Sequence, residues 1–164
     1  MTDAKENSME KWIFLLKLRN RSGVLLALTS LFADRGVSIE SLTAHAGVWP
    51  GTGSGTAILT FAASAAKKDH LARLLGRSAA VHELTEYRYE DARHARKSAL
   101  ARVTLSAAAL VAGLPPGILC DIVSAEEGQT LALLLGPPHL IDTALAALSE
   151  SGALLEMDST VIAV

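Results

Sequence analysis

One cysteine, Cys120, in 164 residues leaves nothing for an intramolecular disulfide framework and fits a reducing compartment. Aromatic residues make up only 4% of the chain, too few for the stacking platforms on which single-stranded nucleic acid is held. Neither sign of charge dominates: fifteen Lys and Arg against seventeen Asp and Glu leave a net charge of -2, so no general field draws phosphate backbones or anionic lipid. No nucleic-acid partner is expected. Long hydrophobic runs are also missing. The longest apolar stretch, Leu105–Leu114, is broken by Pro115 and Pro116 and falls well short of the roughly 20 residues of a membrane helix. The start of the chain, Met1–Glu10, is polar and carries Asp3, Glu6 and Glu10, where a secretory signal would have a basic start and an apolar run. These absences together predict a soluble, cytoplasmic protein with no membrane association.

What is present suits a packed interior. Half of the residues are apolar and 20% are charged, which argues against disorder. The length allows one ordinary domain or two small ones. Trp12–Leu18 reads as a strand, and Asn20-Arg21-Ser22-Gly23 as a turn that starts a helix. Val24, Leu25, Leu28, Leu31 and Phe32 then fall on one helical face, with Gly36 as the C-terminal stop and Arg35 at the negative end of the dipole. Val37–Ala46 and Thr56–Ala62 are strands joined by a glycine-rich turn over Gly47–Gly55. Ser64 caps a second helix running to Leu75 and ended by Gly76, and Val81–Tyr89 closes the set as an edge strand. Strand, helix, strand, strand, helix, strand is a split βαβ pattern, with both helices on one face of a four-stranded antiparallel sheet. The other face needs a cover, which is a reason to expect a second copy.

A second half repeats the plan in curtailed form. Strands are predicted at Arg102–Ala108, Ile118–Ser124, Thr130–Leu135 and Leu154–Val164, with a helix opened by Pro137 and Pro138 and ended by Gly152. The segment Ala109–Gly117 is too short and proline-rich for a full first helix. The predicted fold class is therefore α+β, two ferredoxin-like (βαββαβ) domains. Residues 1–11 are expected to be flexible, 12–89 and 101–164 to be the domains, and the charged segment 90–100 to be a linker.

Residues for catalysis do not converge. Cys120 lies in an apolar strand beside Asp121, the setting of an inert thiol. His45, His70, His82, His94 and His139 are scattered without metal-ligand spacing. The carboxylates Asp121, Glu126, Glu127, Asp142 and Glu156 show no pattern beyond solvation. Gly51-Thr52-Gly53-Ser54-Gly55 lacks the Lys of a phosphate-binding loop and leads into a strand. Only Asn20–Gly23 offers chemistry. A helix start with unpaired N–H groups favours a carboxylate or phosphate, and Gly23 lets one approach. Simple capping by Asn20 or Ser22 is the other reading, and on residue types alone it stands ahead.

Asn20-Arg21-Ser22-Gly23-Val24-Leu25, Leu31-Phe32, Arg35-Gly36 and Ser38-Ile39-Glu40-Ser41-Leu42 resemble the ACT domain that opens the small regulatory subunit of acetolactate synthase, also called acetohydroxyacid synthase. The match is close over residues 12–89 and weaker but colinear over 117–164. The resemblance implies an N-terminal ACT domain and an ACT-like C-terminal domain. It also implies a homodimer paired through its ACT domains, with an effector such as valine bound between chains by Asn20, Ser22, Gly23, Val24 and Leu25 of one and Ser38 and Ile39 of the other. Such a subunit has no catalytic site and no cofactor of its own. It activates a catalytic large subunit, which holds thiamine diphosphate, Mg and FAD, and confers feedback inhibition. Ser22 stands where the family usually has Pro, Ala27 where it often has Arg, and Ser38 where it has Asn. These departures leave open a stand-alone amino-acid sensor of altered or lost specificity, or a protein keeping only the interaction surfaces; an enzyme in its own right comes last.

Overall fold

A computed structural model of the chain describes residues 8–47, 53–91, 94–126 and 128–163. Most of the expected flexible N-terminus, the tip of the glycine-rich turn (48–52), part of the expected linker (92 and 93) and Glu127 lie outside the described residues. The chain divides into two compact units between Tyr89 and Glu90. In the first, β1 (Glu10–Arg19), α1 (Val24–Ala33), β2 (Ile39–Ala46), β3 (Ser54–Ala63), α2 (Ala65–Gly76) and β4 (Val81–Arg88) follow one another. The second runs β5 (Ala95–Val103), α3 (Ala107–Gly113), β6 (Leu119–Glu126), β7 (Gln129–Gly136), α4 (Pro138–Glu150) and β8 (Leu154–Ala163). Each unit forms one four-stranded antiparallel sheet, ordered β2-β3-β1-β4 and β6-β7-β5-β8. Both are ferredoxin-like, and the class is α+β.

Alternation along β1 and β3 explains the first core. Phe14, Leu16 and Leu18 share a face with Ala57, Leu59 and Phe61, and this face meets Val24, Leu28 and Phe32 of α1 and Leu71 and Leu75 of α2. Phe14, Phe32 and Phe61 pack edge to face, with ring centroids 4.8 to 6.4 Å apart. Such pairs add about 0.5–1.5 kcal/mol each beyond the area they bury. The second core is built from smaller residues: Ala99, Ala101, Val103, Leu110, Ala132, Leu134, Ile141 and Leu145. At the rim of the first sheet Trp12 donates from Nε1 to the Ala63 carbonyl at 3.1 Å, with the Lys68 ammonium 4.9 Å over its ring. Burial alone would lower the Lys68 pKa, but hydrogen-bonded ion pairs with Asp69 and Glu86 outweigh it, and the group titrates above its ordinary 10.5.

Several boundaries depart from the sequence reading. Residues 95–100, expected as linker, belong to β5, and the strand expected at Arg102–Ala108 ends at Val103. Charge at Arg96 and Lys97 suggested a solvated segment, yet Ala95, Ala99 and Ala101 are buried and the Lys97 ammonium meets Asp142 of α4 at 2.6 Å. Glu10 and Lys11, expected to be flexible, are the first residues of β1. Gly76 is the last residue of α2, and Arg77 takes the capping position. Arg35 lies beyond the end of α1 and pairs with Asp34 at 3.7 Å. The curtailed first helix of the second half is α3, a seven-residue helix capped by Ser106.

Candidate functional site

The start of α1 lies beside the end of the β2–β3 hairpin. Backbone bonds fix the approach: Arg19 donates to the Ala80 carbonyl at 2.9 Å and Asn20 to that of Gly53 at 2.7 Å. Gly23 then takes the capping position at φ +83°, a left-handed conformation that favours glycine. No side chain caps α1. The expected capping by Asn20 or Ser22 is therefore corrected. Both are capping residue types, but the left-handed turn at Gly23 replaces the extended backbone from which a capping side chain reaches back to the first-turn amides. Val24 donates to the Arg21 carbonyl at 3.4 Å and Ala27 to that of Gly23 at 2.9 Å. Among the described residues no acceptor meets the amides of Leu25 and Leu26, which carry the positive end of the helix dipole.

Leu25 and Leu26 line a cleft of about 370 Å³. Of the residues picked out from the sequence, Asn20, Ser22, Gly23, Val24 and Leu25 line it. Val24 is buried and packs into the core. Ser38 and Ile39 do not line the cleft of their own chain: Ser38 is exposed between α1 and β2, and Ile39 packs against the core. The sequence reading missed the hairpin end, where His45 pairs with Thr56 and Ala46 with Gly55. It missed Arg19 and Arg21 as well, which also line the cleft. Gly55 carried the only usable signal, as part of the glycine-rich segment: a Cβ there would stand 2.9 Å from the His45 carbonyl oxygen. That segment leads into β3 and not into a helix, so it is a hairpin connection.

The rest of the described molecule offers less. A smaller cavity of about 170 Å³ between α3 and α4 is lined by Leu105, Leu110, Leu114 and Ala144 among others, with Thr143 the only polar lining residue. No group of three or more His, Cys, Asp or Glu side chains among the described residues could hold a metal ion. Cys120 packs against the second core, and burial followed by the charge of Asp121 pushes its thiol pKa up, away from the reactive thiolate. No described helix is long and apolar enough to cross a membrane.

No family model matches the sequence, and a search of curated proteins finds no relative. Solved structures do match. The small subunit of acetolactate synthase from Thermotoga maritima aligns with a TM-score of 0.72 over 94% of this chain and 96% of that chain, at 17% identity. The fold is shared with that chain. At such low identity the likeness establishes the architecture and no more. The ligand-free regulatory subunit of aspartate kinase from Thermus thermophilus aligns at TM-score 0.45, 14% identity, 87% of this chain and 94% of that one. A protein from Galdieria sulphuraria aligns at 0.44, 13%, 96% and 99%. Neither of these two scores is high enough to bear on function.

Proposed function

We propose that the chain is a non-catalytic regulatory protein that binds a small carboxylate effector in the cleft at the start of α1 and acts on a catalytic partner. The observation that carries this reading is the uncapped helix start: no side chain caps it, no acceptor among the described residues meets the Leu25 and Leu26 amides, and both residues line the cleft. An enzyme would need a reacting constellation, and the cleft brings together donors and apolar surface instead. The ACT-like sequence pattern and the fold shared with an acetolactate synthase small subunit favour a specific partner, the thiamine-diphosphate-dependent large subunit of acetolactate synthase. Thiamine diphosphate, Mg and FAD would all belong to that partner. Valine or a related branched-chain metabolite is the effector this reading names.

A homodimer through the first unit belongs to the same proposal. Leu25, Leu26 and Leu42 are 43%, 71% and 37% exposed, and β2 is an edge strand with one side unpaired in its sheet. A second copy beside β2 would cover them and bring Ser38 and Ile39 toward the facing cleft. Ser38 favours the second reading, a stand-alone sensor, because a hydroxyl there offers less to an amino acid than the amide usual in the family.

Reconstitution separates the two. Purified chain added to the cognate large subunit raises its acetolactate-forming activity, and the effector then lowers it through a coupling of about 1–3 kcal/mol. Gly23→Asp, which puts a carboxylate at the helix start, removes the effector response. A large subunit whose activity and stability ignore the chain would refute the subunit reading and leave the sensor.

A further inference from the structure

The face of the second sheet that turns away from α3 and α4 carries an apolar stripe between two acidic edges. Strand register fixes both. Leu131, Leu133 and Leu135 of β7 pair with Arg102, Leu100 and Ser98 of β5, on the side opposite the buried Ala99, Ala101, Ala132 and Leu134. Asp121 of β6 stands beside Leu133, and Glu156 and Asp158 of β8 stand beside Arg102 and Leu100. An aspartate carboxylate lies one bond from Cβ, so the register also places its charge. Arg102 Nε lies 3.7 Å from the Glu156 carboxylate. Asp121 and Asp158 pair with no cation among the described residues. Two depressions of about 220 Å³ each share Arg102 and Leu131 on this face; one reaches Leu100, Glu156 and Asp158, the other Ser124, Glu126 and Gln129.

An apolar stripe on a sheet is covered by another sheet or by a helix. A second copy would bring the same sheet, and aligned two-fold packing of the face on itself lays β6 over β8 or over β6. Asp121 then meets Asp158 or another Asp121, in a unit that already carries nine Asp and Glu against four Lys and Arg. Like charges brought together in this way oppose association. A basic helix meets no such penalty. β6 and β8 are three strand spacings apart, roughly 14 Å, and a helix with its side chains is about 10–12 Å across. Laid along β7 and β5, it sets one apolar face on the leucines. Lys or Arg on its two flanks then reach the acidic edges, with their stems along apolar surface.

We infer that the leucine face of the second sheet docks a basic amphipathic helix of a partner protein. The inference is independent of the effector cleft, which lies in the first unit.

The probe is a synthetic amphipathic helix with leucines on one face and lysines on the other, and its counterpart carries glutamate in place of every lysine. Fluorescence anisotropy of the labelled peptides with the full chain is expected to show saturable binding of the lysine peptide that weakens with added salt. The glutamate peptide is expected to bind about tenfold more weakly. The double variant Leu100→Ser, Leu133→Ser is expected to weaken the lysine peptide about tenfold, and Asp121→Lys, Asp158→Lys to reverse the preference between the two peptides. All four positions are exposed, and an unchanged melting midpoint shows that each variant is folded. No saturable binding, equal binding of the two peptides, or lysine-peptide binding left unchanged by either double variant overturns the inference. Sedimentation of the parent and the leucine variant tests the other occupant. A parent assembly that dissociates when the leucines are removed makes a second copy the cover and also overturns it.

Discussion

The two units follow one topology and start their first helices differently. In the second, Ser106 sits in extended backbone at φ -66° and its hydroxyl accepts from the Ala109 amide at 3.3 Å. In the first, Gly23 sits at φ +83° and no side chain reaches the helix start. The surrounding scaffold is parallel: Arg19 donates to Ala80 as Thr104 donates to Ala153, both at 2.9 Å. Gly23 stands four residues after Arg19 and Ser106 two after Thr104, so the two helix starts differ in the length of the connection as well as in residue type, and only the second is capped by a side chain.

The cores differ in the same direction. Three interlocked phenylalanines hold the first unit, whereas alanine, leucine and isoleucine fill the second. The sheet face away from the helices diverges too. Ile13 and Ile58 are buried there in the first unit, but Leu100 and Leu133 remain 41% and 39% exposed in the second.

The largest expected effect sharpens the contrast between cores. Phe61→Ala removes a ring in contact with two others and is expected to cost the first unit about 3–5 kcal/mol. Trp12 is buried in that unit, and the only other tryptophan of the sequence, Trp49, falls within its residue range, so urea unfolding followed by tryptophan fluorescence reads the loss directly. The unfolding of the second unit should move far less.

Next comes Gly23→Ala. Nothing lies within 4 Å of a Cβ built there, so the expected cost of about 1–2 kcal/mol is that of left-handed backbone alone. Thermal unfolding measures it, and a stabilising result would break the account of the helix start. Ser106→Ala, at the start of α3, should lose about 1 kcal/mol of cap. Asn20→Ala and Ser22→Ala should stay within about 0.5 kcal/mol, because neither caps α1.

The smallest effect is pH-dependent. Lys68 titrates above 10.5 in the folded chain, so its ion pairs contribute stability below the unfolded value and lose it as pH rises through the raised folded one. Lys68→Met should therefore differ from the parent by up to about 1 kcal/mol at neutral pH. The difference should vanish under strongly alkaline conditions, which equilibrium unfolding at a series of pH values would show.

Much of this architecture was legible. The short apolar runs of β1 and β3 and the spacing of Val24, Leu28 and Phe32 carry the split pattern without help from tertiary structure. β5 was hidden because Arg96 and Lys97 look solvated until Asp142 of α4 is placed beside one of them. Five residues of the cleft could be found because the start of α1 is continuous in sequence. His45, Ala46, Gly55 and Thr56 reach it only through hairpin register, which residue types do not encode. The error about capping has the same origin: Asn20 and Ser22 have the right chemistry, and the conformation of Gly23 decides against them.

The central claim is that the open helix start of the first unit, and not the capped start of the second, binds the effector. Amide chemical shifts of the full chain, followed while L-valine is added, test it most directly. The account predicts saturable shifts at Asn20, Gly23, Leu25, Leu26, His45 and Gly55, and none at Ser106–Ala109. Shifts centred on Ser106–Ala109, or none that saturate anywhere, would contradict it.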